Sequence, residues 1–275
     1  MKIEFWGVRG SFPSPGIEYC KYGGHTTCVN IIFEKDLQLI LDAGLGIQKL
    51  GKKLLKKPLD QIQILWTHFH WDHIQGLPFF PQIYIPGQKI DVYSGFDIGW
   101  QIKVSDQMNG IQFPIEFDAL PSDIQIHSLD ELEKLTKHKI KVEKMITNHP
   151  GGCYAYKIIY KDKIVIFCPD NELMPPQKPN KTLDEFVNFF KDADVLIHDT
   201  QYLDKEMEIK KGWGHSSIGM VCDVVEKSNV KHFVAFHHDP IRTDDELDKI
   251  EKDLRKRISK DRKVDVAKEG LEIIL

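Results

Sequence analysis

The chain has 275 residues, of which 37 are Lys or Arg and 41 are Asp or Glu, so its net charge is −4. With 41% hydrophobic and 28% charged residues, the composition is that of a globular protein and excludes disordered, coiled-coil and collagen-like chains. The mild acidity gives no electrostatic reason for a broad nucleic-acid surface or for binding to an anionic membrane.

The localisation expected from the sequence is cytoplasmic. No apolar run approaches the length of a membrane span, and the first residues, Met1 to Trp6, lack the pattern of a signal peptide. The 5 cysteines are scattered, without a Cys-x-x-Cys pair, which is typical of reduced thiols. We therefore expect no membrane association.

Short runs rich in Val, Ile, Phe and Trp predict strands, in chain order, at residues 2–8, 27–33, 37–42, 61–66, 89–94, 140–147, 153–160, 163–168, 194–198 and 231–236. Apolar residues at helical spacing and capping signals predict helices at residues 45–56, 128–137, 182–191, 216–227 and 243–260. Strands with helices on either side indicate an α/β fold with two sheets.

The organisation predicted from these elements is a single domain over residues 1–275, because no stretch resembles a flexible linker. Residues 87–135 form the least regular part, with several Gly and Pro among aromatic residues. We interpret this part as an insertion that lies over the core and forms a wall of the substrate site.

The most informative segment follows the apolar strand 61–66 and contains His68, His70, Asp72 and His73. In extended chain, residues two apart point to the same side, so His68 and His70 can bind one ion. A turn after them presents Asp72 and His73 to a second ion beside the first. Imidazole and carboxylate ligands suit zinc, iron or manganese better than calcium or magnesium.

Other predicted strands also end in a residue that can bind metal, namely His149, Asp170, Asp199 and His237. Ligands that collect at the carboxyl ends of several strands are a common way to build a site from distant sequence. Each of these residues alone is weak support, since an Asp after a strand is usually a turn residue or a helix cap.

Together these residues resemble the metallo-β-lactamase superfamily of hydrolases, whose His-x-His-x-Asp-His signature is complete at residues 68–73. The superfamily's other motifs are similar to the segments at residues 41–44, 148–152, 168–170 and 236–240. The resemblance implies a four-layer αββα sandwich with the site at the edge between the sheets. It also implies that Asp42 supports a ligand histidine by a hydrogen bond.

The resemblance implies two divalent ions, with zinc as the expected metal and manganese or iron as alternatives. The implied ligands are His68, His70 and His149 for one ion, Asp72, His73 and His237 for the other, and Asp170 as a bridge. Adjacent to His237 is His238, which is the alternative ligand at that position.

The mechanism expected from such a centre is hydrolysis by a hydroxide that bridges two ions, because the ions lower the pKa of the shared water. The expected catalytic residues are Asp72, Asp170, which orients the hydroxide, and His215. His215 begins a predicted helix, whose free amides attract phosphate, and phosphodiesterases of the superfamily have a histidine at a similar place. The alternative is that His215 is an ordinary loop residue.

The segment from Phe5 to Cys28 resembles a bacterial branch that includes cyclic nucleotide phosphodiesterases. We therefore expect a phosphodiesterase whose substrate is a small phosphodiester, a 3′,5′-cyclic nucleotide. Within this segment Arg9 offers a partner for phosphate or fixes a loop, and His25 is expected to be a loop residue. Asp199 is expected to support His149 or His237, or to cap a helix.

Three alternatives to this function stay open. One is a tRNA 3′-processing endonuclease, although the sequence lacks a Gly-rich basic insertion that would grip tRNA, so nucleic acid is not the expected partner. Another is a hydrolase of thioesters or other esters. The third, from a different class, is a metal-holding sensor that binds a ligand without turnover. A homodimer is expected only by analogy with the family.

Overall fold

The computed structural model describes residues 1–96, 99, 104–136 and 139–275. In this part of the chain the strands form two mixed sheets. The seven strands of the first sheet are β1 (Lys2–Gly7), β2 (Cys28–Glu34), β3 (Leu37–Leu41), β4 (Gln61–Trp66), β5 (Lys89–Ser94), β6 (Asp123–Ser128) and β13 (Glu272–Ile274). The six strands of the second are β7 (Ile140–Ile146), β8 (Tyr154–Tyr160), β9 (Lys163–Cys168), β10 (Val195–Asp199), β11 (His232–Phe236) and β12 (Lys263–Val266).

The helices of the described residues flank these sheets. They are α1 (Gly46–Lys56), α2 (Trp71–Ile74), α3 (Leu129–Leu135), α4 (Leu183–Phe190), α5 (Met207–Lys210), α6 (Ile218–Ser228) and α7 (Asp244–Arg257). Thr182 and Thr243 begin α4 and α7 with complete capping boxes, in which Glu185 and Glu246 return the hydrogen bond. The first of these caps is the one that the sequence predicts.

The two sheets have matching topologies. The first has the order β13-β1-β2-β3-β4-β5-β6 and the second β12-β11-β10-β9-β8-β7. In the first sheet β3, β4, β5 and β6 are parallel, and in the second β9, β10, β11 and β12 are parallel. Each sheet therefore sends the carboxyl ends of several strands to one edge, where the loops that follow them meet.

Three apolar clusters define the four layers. The cluster between the sheets draws residues from both, and Phe236 of β11 packs there against Phe5 of β1 and Phe167 of β9, with ring centroids 6.0 and 5.7 Å apart. A second cluster joins the outer face of the second sheet to α4, α6 and α7, and a third joins the first sheet to α1. These layers confirm the predicted αββα sandwich.

The irregular part of the chain is shorter than the predicted 87–135, because β5 and β6 pair along six residues within it. The irregular stretch therefore falls between these two strands, and part of it lies outside the described residues. Strand β6 is mostly exposed at the end of the sheet, so its sequence lacks a buried apolar run and gives a weak strand signal. The short strands β12 and β13 escape prediction for the related reason that each has few residues.

Candidate metal centre

The predicted signature lies in the loop and short helix that follow β4. His68 and His70 precede α2, and Asp72 and His73 lie within it. The loop is tied to the second sheet, because Tyr154 N donates to Thr67 O at 3.1 Å and the Tyr156 hydroxyl donates to Trp66 O at 2.7 Å. The signature therefore stands where the two sheets meet.

The structure brings together all seven predicted metal ligands. Among the described residues, donor atoms within 4.8 Å of one another form three overlapping groups: His68, His70, His149 and Asp170; Asp72, His73 and His237; and Asp170, His215 and His237. Asp170 belongs to the first and third groups, which is the position that a bridging ligand needs. His238 is in none of them, because its Nε2 faces Ala267 O at 2.8 Å.

The distances between donors fit metal ions. Asp170 Oδ2 lies 3.5 Å from Nε2 of both His68 and His149, and Oδ1 lies 3.2 Å from His73 Nε2 and 3.1 Å from His237 Nε2. Ligands placed about 2.0–2.1 Å from a tetrahedral ion are about 3.3–3.4 Å apart, which is close to these values. His68 Nε2 and Asp170 Oδ1 are moreover buried without a hydrogen-bond partner. The donor set therefore fits divalent metal ions, and Asp170 lies within reach of donors on both sides.

In four of the predicted ligand histidines the second ring nitrogen faces an oxygen, which orients Nε2 toward the site. His73 Nδ1 lies 2.8 Å from Asp42 Oδ2, as the resemblance implies. The corresponding partners of His68, His149 and His237 are Thr67 Oγ1 at 3.1 Å, Gly214 O at 3.0 Å and Gln201 Oε1 at 3.0 Å. Hydrogen bonds fix the rings before any ion binds.

Burial and the nearby carboxylates shift the pKa values of the histidines in the site in opposite directions. Burial lowers the pKa of His149 to about 4 and the pKa of His68 well below its usual value, so both rings are neutral, as ligands must be. Burial opposes charge on His73 as well, but Asp72, Asp170 and Asp42 raise its pKa well above the usual value. These buried carboxylates need nearby positive charge, which a divalent ion supplies.

The backbone at the site has two residues with positive φ and one close approach that requires glycine. Asp42 and His237 adopt φ values of 59° and 58°, in the left-handed region that costs about 1–3 kcal/mol for residues other than glycine. Gly10 lies against the His237 ring, and a Cβ at this position would stand 2.3 Å from Nδ1. Only glycine therefore allows the amino-terminal loop to approach this histidine.

His215 belongs to the third donor group and is not an ordinary loop residue. Its ring stacks on that of His237, with centroids 5.1 Å apart and planes inclined by 21°, and its Nδ1 lies 2.7 Å from Asp199 Oδ2. Burial disfavours the charged ring, but the charge and hydrogen bond of Asp199 outweigh this and raise the pKa of His215 to about 9. In the absence of bound ions, the pair with Asp199 therefore favours a protonated ring at the edge of the centre.

The structure corrects the expectations for Asp199 and decides those for Arg9 and His25. Asp199 supports His215, not His149 or His237. Arg9 is fully buried and donates to the carbonyls of Gly23, Asp239 and Arg242, so it fixes loops and does not contact the donor groups. His25 pairs with Glu269 at 2.8 Å, away from the site.

Three supporting residues escape prediction from the sequence. Glu172 is buried and accepts hydrogen bonds from the backbone N–H groups of Gly212 and Gly214, which precede His215. Gln201 orients His237, and Ser11 N donates to Asp72 Oδ2 at 2.7 Å. The only signal for Glu172 and Gln201 is that each follows, by two residues, an Asp at the end of a strand.

Residues 38–238 match the family described as Beta-lactamase superfamily domain. The fold and the site together define a metal-dependent hydrolase, and the chain belongs to this family. A ribonuclease Z from Picrophilus torridus is 25% identical to it over 276 residues, covering 86% of this chain and 85% of the relative. A ribonuclease Z from Thermoplasma acidophilum is 23% identical and covers 89% and 88%.

Solved structures agree on the fold. The metallo-beta-lactamase fold protein YhfI from Bacillus subtilis superposes with a TM-score of 0.71 at 19% identity, covering 99% of both chains. The short form of human tRNase Z superposes with a TM-score of 0.66 at 19% identity, covering 100% of this chain and 99% of that one. Among the described residues, no helix has the length and apolar character that a membrane crossing requires.

Proposed function

We propose that this protein is a dinuclear metal-dependent phosphodiesterase that hydrolyses phosphodiester bonds of RNA. The observation that carries the proposal is the His215–Asp199 pair, which holds a histidine ring beside the predicted metal ligands and favours its protonated form. A hydrolase of carboxylic esters has less need of a second cationic group there. Either ester loses an alkoxide that needs a proton, but only the phosphodiester is negatively charged, so it alone also gains from a cationic group.

The residues that would hold the ions are His68, His70 and His149 on one side, Asp72, His73 and His237 on the other, and Asp170 between them. Zinc suits these donors best, and manganese or iron is compatible with them. When bound, two ions supply a hydroxide nucleophile and neutralise a phosphoryl oxygen. The Ser11 N–H donates to Asp72 and orients its carboxylate toward the site. Asp170 lies between the two sets of donors and would orient the hydroxide.

His215 would protonate the leaving oxygen. Its Nδ1 is engaged by Asp199, so Nε2 is the nitrogen left to donate a proton. In the absence of bound ions, Asp199 raises the pKa of the ring to about 9, and the same carboxylate would favour the protonated ring when the site is loaded. Its charge also attracts the anionic phosphodiester, and general acid catalysis of this kind contributes roughly 10²- to 10⁴-fold to the rate.

The relatives support RNA over the cyclic nucleotide expected from the sequence. Those named ribonuclease Z match along most of both chains, whereas the cyclic nucleotide rests on the resemblance of the segment from Phe5 to Cys28. That segment does reach the site, since Ser11 contacts Asp72, so a cyclic nucleotide is the second candidate. A tRNA 3′ end is the RNA that the relatives' name suggests.

A panel of substrates tests the proposal. Zinc- or manganese-loaded protein is incubated with a 3′-extended tRNA transcript, cyclic AMP, cyclic GMP and bis(p-nitrophenyl) phosphate. Endonucleolytic cleavage of the transcript at rates above those for the cyclic nucleotides supports the proposal. Turnover of cyclic nucleotides alone supports the second candidate, and no turnover of any phosphodiester contradicts both.

Metal analysis of variants tests the donor set separately. His70→Ala should lose at least one ion per chain, because His70 is a member of the first group. His25→Ala is the matched control, since this histidine pairs with Glu269 outside the site and its loss should leave the metal content unchanged. Retention of both ions in His70→Ala would contradict the assignment.

A further inference from the structure

An exposed tryptophan lies next to the proposed general acid. Trp213 keeps 57% of its surface exposed, although it precedes His215 by only two residues. Two residues of chain span at most about 7 Å, so the backbone of Trp213 stays close to His215. Between them, the carbonyl oxygen of Gly214 lies 3.0 Å from His149 Nδ1. The chain therefore attaches the Trp213 ring directly to the edge of the candidate metal centre.

The loop that carries this ring is held in one conformation. The carboxylate of the buried Glu172 accepts hydrogen bonds from Gly212 N at 2.9 Å and from Gly214 N at 3.0 Å. Trp213 N donates to Lys210 O at 3.1 Å. The two glycines have φ values of 91° and 88°, in the region that favours glycine. The loop thus presents the exposed ring in a fixed place, which lowers the cost of binding a ligand.

A lysine lies over the tryptophan ring. Lys210 Nζ is 4.5 Å from the centroid of the Trp213 ring and 4.9 Å from the centroid of the Tyr202 ring. The Tyr202 ring packs edge to face against His215, with centroids 5.6 Å apart. The ammonium group is therefore no farther from the His215 ring than the sum of the last two distances. Cation–π contacts are attractive at this range and hold the ammonium group in place.

The charge of Lys210 is not neutralised by an ion pair. In the part of the chain that the structure describes, no carboxylate oxygen lies within 4.0 Å of its Nζ, whereas Lys181 pairs with Glu185 at 2.8 Å. A cation that two rings hold without a counter-charge attracts an anion. A nucleic-acid strand carries a phosphate at every nucleotide. The anion that fits here is therefore a phosphate adjacent to the one that is cleaved.

The ring and the cation together match one nucleotide. Proteins bind single-stranded nucleic acid by stacking bases on aromatic side chains and by placing positive charge along the backbone. An apolar partner would not use the charge of Lys210, and a simple anion would not use the exposed ring of Trp213. In the proposed reaction His215 protonates the leaving oxygen, so the nucleotide that leaves is the one next to Trp213.

We propose that Trp213 and Lys210 bind the leaving nucleotide, whose base stacks on the indole and whose further phosphate binds the ammonium group. The inference rests on the proposed phosphodiesterase activity and makes it more specific, because the substrate must continue as a single strand beyond the scissile bond. A cyclic nucleotide has only one phosphate, so it would leave Lys210 unused.

Inhibition by nucleotides measures this contact without cleavage of the ligand. Inorganic phosphate, uridine 3′-monophosphate, uridine 5′-monophosphate and uridine 3′,5′-bisphosphate each compete with methyl p-nitrophenyl phosphate for zinc-loaded protein. The inhibition constant should fall from phosphate to the monophosphates and again to the bisphosphate. Trp213→Ala should remove roughly ten-fold of the gain that the nucleoside provides, and Trp213→Phe should retain it.

Lys210→Met keeps the length of the side chain and removes its charge. This variant should bind the bisphosphate no better than the monophosphates. The slope of the logarithm of the inhibition constant against the logarithm of the salt concentration should become shallower by about 0.7, which a merely structural role would not cause. Ile209→Ala is the control, since this neighbouring side chain is 76% exposed, and its inhibition constants should match those of the unsubstituted protein.

Calorimetric titration of zinc-loaded protein with uridine 3′,5′-bisphosphate keeps the inference testable if the ester is not hydrolysed. Trp213→Ala and Lys210→Met should each weaken binding, and Ile209→Ala should not. Affinity for the bisphosphate that either of the first two substitutions leaves unchanged would overturn the proposal, which needs both residues. Failure of the phosphodiesterase proposal would instead appear as no turnover of ester or RNA while the bisphosphate still binds through both residues.

Discussion

Replacement of Asp199 by Asn tests how the structure prepares His215. The carboxylate of Asp199 accepts from His215 Nδ1 at 2.7 Å, Asn171 N at 3.2 Å and Gln201 N at 2.9 Å. An asparagine keeps the size of the side chain but removes the charge, and its amide nitrogen would face a donor. The variant therefore weakens the support of His215 without opening a cavity.

The size of the effect follows from the pKa of His215. A pKa of about 9, against an ordinary value of about 6.5, corresponds to roughly 3 kcal/mol in favour of the imidazolium. Without the carboxylate the pKa falls, so the protonated fraction at pH 8 falls with it. We expect the alkaline limb of the kcat profile for RNA to move to lower pH, and kcat at pH 8 to fall by about 10²-fold or more.

The choice of substrate separates proton donation from positioning. Bis(p-nitrophenyl) phosphate releases a stabilised phenolate that needs no proton, so Asp199→Asn should reduce its turnover far less than that of RNA. Equal losses for both substrates would refute the role of His215 as general acid and indicate that the substitution only misplaces the ring.

The free energy of unfolding of metal-free protein, prepared with a chelator, gives an independent test of the Asp199–His215 pair. A raised pKa means that the stabilising effect of the Asp199–His215 pair is complete below about pH 6.5 and is lost as the pH rises through about 9. The difference in the free energy of unfolding between the unsubstituted protein and Asp199→Asn should thus shrink over this interval, by up to roughly 3 kcal/mol. A difference that does not change with pH would refute the linkage.

Three further predictions concern residues in and around the site. His237→Ala should lose bound metal by elemental analysis while His238→Ala keeps it, since only His237 faces the donors; equal losses would contradict this. Glu172→Gln should lower both kcat for RNA and the melting temperature. One backbone N–H before His215 would lose its acceptor, at a cost of about 1–3 kcal/mol. Unchanged kinetics would show that the loop keeps its conformation without Glu172. Arg9→Met should reduce the free energy of unfolding by about 3 kcal/mol or more in denaturant titration yet leave two ions bound, because three carbonyls lose their donor.

The structure brings together the donor residues that the sequence singles out, because strong local signals and simple geometry coincide. His68, His70, Asp72 and His73 lie within six residues, and the remaining donors follow predicted strands whose ends meet at one edge. The choice of His237 over His238 comes from the family resemblance, which places the ligand directly after the strand. The division of the donors into two sets also comes from the resemblance, whereas their collection at one edge needs only strand ends and the chemistry of metal ligands.

The supporting contacts lie beyond sequence reasoning because they depend on tertiary distances. Asp199 and His215 are 16 residues apart, and nothing in their spacing distinguishes a pair with each other from a pair of Asp199 with His149 or His237. Gln201 and Glu172 are ordinary polar residues until the fold buries them against His237 and the Gly212–Gly214 backbone. Strand β6 is exposed, and therefore lacks the apolar pattern by which strands are predicted.

Turnover of bis(p-nitrophenyl) phosphate during titration of metal-free protein with zinc tests the central claim most directly. Because two ions together would supply the hydroxide and neutralise the phosphoryl oxygen, full activity requires both ions. The account predicts that turnover rises until two equivalents of zinc per chain are present and then stays constant. A plateau at one equivalent, or no turnover with zinc, manganese or iron, would contradict it.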